Sequence, residues 1–420
     1  MDHFSYKDGS YYAEDVAIAD IAKAVGTPFY CYSSATLEHH YKVFSGAFSD
    51  VDAKICFAVK SNDNLAVLAT FARLGAWADV VSGGEIRKVL KAGIKAENIV
   101  FSGVGKTTEE MAFAIDKGIF QFNVESEPEL LLLNDVAISK GKKARVAIRV
   151  NPDVDPKTHA KISTGQKESK FGISMTHAMD VYKLANSLAG IDVQGVSVHI
   201  GSQLTTLEPF AQAFARLRDF VNELRAQDIA ITTLDLGGGL GIPYGKEQPP
   251  LPEFYAEIAK RETKDLGVKL LFEPGRVLVG NAGILVSKVL YVKHGENRMF
   301  VIADAAMNDL IRPTLYDAYH EIVSIVPPSG DAPTEMVDVV GPVCETGDIF
   351  AEQRLMKVPK SGDLIAFRSA GAYGAVMAGT YNARPLVPEV MVKGNKFSVV
   401  RPRQTYEELL ARDKLPEWFA

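Results

Sequence analysis

The sequence predicts an α/β protein: a (β/α)8 TIM-type barrel with a second, mainly β domain. Three observations carry the prediction. Eight short β-branched, apolar runs follow one another between residues 54 and 275, longer amphipathic or polar stretches separate them, and the texture changes after Arg276. Near-continuous apolar runs are what strands covered on both faces require, because helices pack outside them and side chains fill the inside.

In order, the runs are KICFAVK at 54–60, ADVVS at 78–82, IVFSG at 99–103, FQFNVE at 120–125, RVAIRV at 145–150, VSVHIG at 196–201, TLDLGGG at 233–239 and LLFEPG at 270–275. Beyond Arg276, GILVSKVLYVKH at 283–294, RMFVIADA at 298–305 and KFSVVRP at 396–402 are strand-like runs joined by Gly, Pro and Asn turns. SYKDGSYYAEDVAI and TPFYCYS, within residues 5–33, have the same composition. The barrel is therefore placed at 34–276, and the β domain at 277–420 together with 1–33. One long irregular stretch, 153–173, follows the fifth run and is rich in Lys, Thr, Ser and Gly. Loops of that length inside a compact domain are often lids.

At 420 residues the chain has room for two or three domains at about 150 residues each, and 47% hydrophobic with 23% charged residues is ordinary globular composition. No apolar run approaches the roughly 20 residues that span a bilayer. The opening MDHFSYKDGSYYAED lacks the basic and then apolar regions of a secretory signal, so a cytoplasmic address is expected. A net charge of −6 without a block of like charge argues against nucleic acid as a partner. Cys31, Cys56 and Cys344 are odd in number and far apart, and the eight histidines form no HExxH, so neither a disulfide framework nor a protein-bound metal is expected.

Barrel enzymes carry their reacting groups at the C-terminal ends of the strands. The first run ends in Lys60, a lysine after ICFAV, where desolvation favours the free amine that Schiff-base chemistry needs. The competing reading is a lysine that snorkels from the barrel mouth, and this strand alone does not decide between them. The sixth run ends in His199, a residue that an apolar strand more often holds as a satisfied core histidine. The seventh ends in GGGLG at 237–241 and the eighth in EPGR at 273–276. Loops at those two places commonly hold a phosphate, because glycines let backbone N–H groups approach an anion. A lysine, a ring-sized histidine, a phosphate cradle and the Glu273 carboxylate together describe a site for pyridoxal 5'-phosphate. Lys60 would form the Schiff base, His199 would lie against the ring, and Glu273 would keep the ring nitrogen protonated so that the ring accepts electrons.

The motifs FAVKSN at 57–62, HIGSQ at 199–203, DLGGGLGI at 235–242, EPGR at 273–276, RPTLYDAYHE at 312–321, GPVCETGD at 341–348 and GAYGAVMAGTYNARP at 371–385 resemble those of the diaminopimelate decarboxylases. These are a branch of the alanine-racemase-like, fold-type III pyridoxal phosphate enzymes. The likeness runs from about residue 25 to 415. Phe57, Ser61 and Thr346 depart from the common Tyr, Ala and Ser, and no reacting group is lost. The resemblance implies decarboxylation of meso-2,6-diaminopimelate to L-lysine and carbon dioxide, the last step of lysine biosynthesis. It also implies a homodimer with each site shared across the interface. It makes Lys60 the Schiff-base lysine and His199 the ring-stacking residue. Ser202, Gly237, Gly238, Gly239, Pro274, Gly275 and Arg276 become cofactor contacts on the phosphate side. Arg276, Arg312 and Tyr316 bind substrate carboxylates, Tyr373 touches cofactor and substrate, and Cys344 and Glu345 come from the other subunit. The segment 153–173 resembles the family's mobile loop.

Diaminopimelate carries two carboxylates and two ammonium groups. Arg276 and Arg312 would supply two bidentate forks, Glu345 the counter-charge for the distal ammonium, and Cys344 the proton for the reacting carbon. The rival reading inside the same fold is a decarboxylase of ornithine, arginine or carboxynorspermidine. Ornithine enzymes typically put Asp after the Cys and lack RPTLYDAYH. An alanine racemase would place Arg where Glu273 stands, and a non-catalytic homologue would have no use for Lys60, His199, Glu273 and Cys344 together.

Overall fold

The computed structural model describes residues 2–155, 170–330 and 332–419. The chain divides into two compact units, Leu37–Leu278, and Met1–Thr36 with Val279–Ala420.

The first unit is a closed parallel barrel. Its strands are Ala53–Ala58, Trp77–Val80, Ile99–Phe101, Gln121–Val124, Ala144–Asn151, Ile191–Ser197, Thr233–Asp235 and Lys269–Phe272. Each pairs with the next, and Lys269–Phe272 returns to Ala53–Ala58 to close the ring. The strands are buried almost throughout, which is why their sequences are apolar runs and not alternating ones. Outside them, aromatic rings fill the helix layer. Phe48 and Phe272 lie 4.0 Å apart at their centroids, and Phe44, Phe210, Phe214 and Tyr255 pack around them.

Helices follow the first seven strands, at Leu65–Arg73, Gly83–Lys91, Thr108–Lys117, Glu127–Ser139, Met175–Ser187, Glu208–Arg225 and Pro252–Thr263. Their starts are written in the sequence. Asn64, Ser82, Thr107 and Ser126 each accept a bond from a first-turn N–H, and Thr107 with Glu110 forms a capping box. Because each helix begins just past a strand end, these caps fix the turns from which the site is built.

One buried ion pair ties the third and fourth turns together. Lys106 Nζ donates to Glu129 Oε1, Gly103 O and Asn123 O, each at 2.7 Å, so all three of its protons are used. Its side chain is 0% exposed and that of Glu129 is 6% exposed. Breaking such a pair strands a buried charge, so Glu129→Gln will destabilise the protein by about 3 kcal/mol. Thermal melting checks this; an unchanged melting temperature would mean that the pair is worth no more than a surface bridge.

The second unit is mainly β. A mixed sheet runs through Ile349–Lys357, Thr334–Val340, Met299–Ala303, Gly283–His294, Phe29–Ser33, Glu389–Lys393 and Lys396–Arg401 in that order. Phe29–Ser33 is buried at every position, because it lies between Gly283–His294 and Glu389–Lys393. A small antiparallel sheet, Phe4–Lys7, Ser10–Ala13 and Val16–Ala17, and the helix Ile18–Val25 after it cover one face through Phe4 and Tyr11, and Ile18 and Ile21, which share a core with Phe29, Ile284, Val286 and Val390. Among the described residues no helix is long and apolar enough to cross a membrane.

Candidate active site

The polar residues of the barrel unit gather at the C-terminal ends of its strands. The first strand stops at Ala58, two residues short of the sequence expectation, and Lys60 sits on a 3-10 turn, Val59–Ser61. Its Nζ lies 2.9 Å from Asp79 Oδ2, in the second strand, whose side chain is 0% exposed. The lysine is therefore neither unpaired nor simply snorkelling. It is an ion-paired amine with about a third of its side chain open. Asp79 went unremarked in the sequence, although a carboxylate inside ADVV was the available signal. Beside it, burial pushes the Glu85 carboxyl up to about 7, while its Oε2 accepts the Val81 N–H at 2.7 Å.

His199 follows the sixth strand. Its Nδ1 accepts the Gly238 N–H at 3.2 Å, so the ring proton sits on Nε2, and Arg149 donates to its carbonyl. Burial, then the nearby Arg149 and Lys60 charges, hold the imidazole well below its ordinary range, so it is neutral at physiological pH. Arg149 is in turn held 3.1 Å from Glu125 Oε2, which also accepts the Gly172 N–H. Gly172 belongs to the segment expected to act as a lid; most of it, residues 156–169, lies outside the described residues.

The turn after the seventh strand lies so close to the segments that follow the sixth and eighth strands that only glycine fits. A Cβ on Gly237 would come within 3.0 Å of Val198 O, one on Gly238 within 3.0 Å of Glu273 O, and one on Gly239 within 3.0 Å of Gly201 O. Gly237 and Gly239 also have positive φ, at 67° and 113°. Next to this turn, Arg276 donates to Ser202 Oγ at 3.1 Å and to Tyr244 Oη at 2.6 Å. Gly275 packs on Ser61 and Ala58, and Pro274 O accepts the Ala58 N–H, which brings the eighth strand end onto the lysine turn.

Glu273 is buried beneath these groups. Its Oε1 accepts from Ser102 at 3.3 Å and from Asn123 Nδ2 at 3.2 Å, and the same Asn123 Nδ2 donates to Asp235 Oδ2 at 2.8 Å. Burial, then the charges of Asp235 and Asp79, push it well above the carboxylate range. The barrel unit thus brings Lys60, His199, Ser202, Gly237, Gly238, Gly239, Glu273, Pro274, Gly275 and Arg276 to one end.

The remaining predicted residues lie in the other unit. Arg312 opens the short helix Arg312–Tyr316 and is buried; its Nη1 is 2.8 Å from His320 Nε2. His320 Nδ1 donates to Arg368 O at 2.8 Å, so its Nε2 is the acceptor that receives the guanidinium. Tyr316 is half-buried at the end of the same helix. Cys344 and Glu345 are exposed, with the Cys344 N–H donating to Asn382 Oδ1 at 2.9 Å. Tyr373 has φ of 56°, an uncommon backbone for a bulky residue and one that concentrates at functional positions.

A family model described as the pyridoxal binding domain of pyridoxal-dependent decarboxylases matches residues 34–280. That defines the class. Curated relatives narrow it. The diaminopimelate decarboxylase of Zymomonas mobilis is 51% identical over 420 residues, 99% of each chain. That of Vibrio cholerae is also 51% identical, over 99% of this chain and all of its own. A crystal structure of diaminopimelate decarboxylase from M. jannaschii in complex with L-lysine superposes with a TM-score of 0.94 at 38% identity, covering 100% of this chain and 99% of that one. The chain belongs to the diaminopimelate decarboxylase family of pyridoxal-dependent decarboxylases.

The residues present fit the family's cofactor. The triple-glycine turn leaves main chain bare where a Cβ would otherwise fill the space. Ser202 and Arg276 add a hydroxyl and a cation beside it. An amine, an imidazole and a buried carboxyl complete the set a phosphorylated pyridine aldehyde requires.

Proposed function

We propose that the protein decarboxylates meso-2,6-diaminopimelate to L-lysine and carbon dioxide, using pyridoxal 5'-phosphate. The observation that carries this reading is the gathering of Lys60, His199, Glu273 and the glycine turn at one barrel end. It stands in a chain half identical, over its whole length, to curated diaminopimelate decarboxylases. When bound, the cofactor supplies an electron sink for the pair left behind as the carboxylate departs.

The protein's own groups bind, orient and move protons. Lys60 Nζ holds the cofactor, and Asp79 keeps that amine placed when it is displaced. The N–H groups of Gly237 to Gly239, with Ser202 and Arg276, hold the phosphate. His199 covers one ring face as a neutral imidazole, adding no cation beside the site. Arg276, Arg312 and Tyr316 bind the substrate's carboxylates, with His320 turning the Arg312 fork toward its ligand. Tyr373 lies against cofactor and substrate. We assign the working form to a homodimer, in which Glu345 of the partner subunit meets the distal ammonium. Cys344 of the partner subunit delivers a proton from Sγ to the carbon that has lost its carboxylate. The exposure of both residues in the single chain supports this assignment. The net charge of −6 supports a small-molecule enzyme without a nucleic-acid partner, and the likeness to bacterial diaminopimelate decarboxylases supports a cytoplasmic one.

The test is carbon dioxide release by cofactor-loaded protein on meso-diaminopimelate, ornithine, arginine and carboxynorspermidine in parallel. Release from diaminopimelate alone, with lysine as product, is expected. Release from one of the other three would keep the barrel site and overturn the specificity, and silence on all four would overturn catalysis.

A further inference from the structure

Beneath the site two carboxyl groups meet, and only Glu273 has a part in the reading above. Asp235 ends the seventh strand and is 0% exposed; Glu273 follows the eighth and is 5% exposed. Asn123 Nδ2, from the fourth strand, donates to both, at 2.8 Å to Asp235 Oδ2 and 3.2 Å to Glu273 Oε1. Asp235 Oδ1 accepts a further bond from the Gly237 N–H at 3.0 Å. Among the described residues, Glu273 Oε1 has only the long Ser102 contact at 3.3 Å besides Asn123.

Two buried carboxyl groups held on one amide nitrogen are too close to ionise together, so the pair keeps a proton. The donors decide where it rests. Asp235 holds the two shorter bonds, one from backbone, and is the better-stabilised anion, so the proton belongs to Glu273. The surrounding charges leave this assignment in place. Lys60 and Asp79 neutralise each other at 2.9 Å, and Cys56 and Tyr255, which also face the pair, are held neutral because burial raises both.

We propose that Asp235 is a positioning residue that keeps Glu273 in its protonated form until the cofactor ring arrives, so that the ring nitrogen receives its proton from Glu273 and not from water. This rests on the cofactor reading above. The O–H bond of Glu273 breaks as the N–H bond forms, leaving Glu273 a carboxylate beside a cationic ring. No proton need enter a buried site. The DLGGG motif thus contributes a proton-placing carboxylate as well as the phosphate turn.

The test is infrared difference spectroscopy of the cofactor-free protein, reading the carbonyl stretch of an un-ionised carboxyl assigned to Glu273 by its loss in Glu273→Gln. The band is expected in the wild-type protein, to vanish when pyridoxal 5'-phosphate binds, and to persist when the 1-deaza analogue, which has carbon in place of the ring nitrogen, binds instead. In Asp235→Asn, which keeps the shape and removes the charge, the cofactor-free band should be lost at a lower pH than in the wild-type protein, because burial still raises Glu273 but the Asp235 charge no longer does. Absence of the band from the cofactor-free wild-type protein, its loss at an unchanged pH in Asp235→Asn, or its survival with pyridoxal 5'-phosphate bound would each overturn the proposal. Failure of both ligands to bind would count against the cofactor reading, and the comparison of the two cofactor-free proteins would still decide the role of Asp235.

Discussion

Replacing Lys60 with alanine will lower decarboxylation by about a thousandfold or more, the scale on which removing a covalent nucleophile acts. The structure adds a second consequence. Asp79 has a side chain 0% exposed and rests Oδ2 on the lysine ammonium, so Lys60→Ala leaves a buried carboxylate without its cation. The variant should therefore melt at a lower temperature as well as lose activity, and the two losses are separable. Adding Asp79→Asn removes the stranded charge and should restore most of the melting temperature while restoring no activity. Activity within about tenfold of wild type in Lys60→Ala would remove Lys60 from the chemistry. Joint recovery of stability and activity in the double variant would make Lys60 a structural lysine.

The barrel is legible in the sequence because parallel strands buried on both faces cannot hide. Each of the eight apolar runs overlaps an observed strand, although VSVHIG shares only Val196 and Ser197 with the sixth, Ile191–Ser197. Strand ends were less legible. KICFAVK reads as extended through Lys60, but the chain tightens into a 3-10 turn at Val59, where Ala58 N–H has bonded to Pro274 O beyond the neighbouring strand. The second unit was legible only in part. Gly283–His294, Met299–Ala303 and Lys396–Arg401 stand out as runs, whereas Ile322–Ser324, Thr334–Val340 and Ile349–Lys357 do not. These strands are partly exposed, so TEMVDVV and IFAEQRLMK carry charges that dilute the apolar signal. Within the N-terminal segment, Ile18–Val25 forms a helix of two turns, too short for periodicity to separate it from the flanking strands.

The site followed the same logic. Residues at strand ends, Lys60, His199 and Glu273, could be located because the barrel tells where a strand end points. Their partners could not. Asp79, Asn123 and Asp235 come from three different strands and Ser102 directly follows a fourth, and they meet only when the barrel closes, so no spacing in the sequence links them. His320 is eight residues from Arg312, yet the helix Arg312–Tyr316 ends in a left-handed residue, Asp317, before the chain turns back to bring the imidazole to the guanidinium.

The glycine turn yields the other large expected effect. At Gly238 a single added methyl group would lie within 3.0 Å of the Glu273 carbonyl, which is main chain and cannot rotate away as a flexible side chain would. Glu273 N–H in turn donates to Gly237 O at 2.8 Å, so the two strand ends are already locked together. Gly238→Ala must push them apart, which moves the cradle N–H groups, the Glu273 carboxyl and the Gly238 N–H that seats His199. Three cofactor-facing elements shift through one substitution. The dissociation constant for pyridoxal 5'-phosphate should rise about a hundredfold, since losing two or three charge-assisted bonds of about 1.5 kcal/mol each is of that order or greater. Inorganic phosphate, as a competitor of cofactor binding, separates the contributions. If the cradle itself is lost, phosphate will weaken in parallel with the cofactor. If phosphate binds the variant as it binds wild type while the cofactor does not, the damage lies at Glu273 and His199. Unchanged affinity for both would show that neither strand end is needed to hold the cofactor, and would remove the glycine turn from the site.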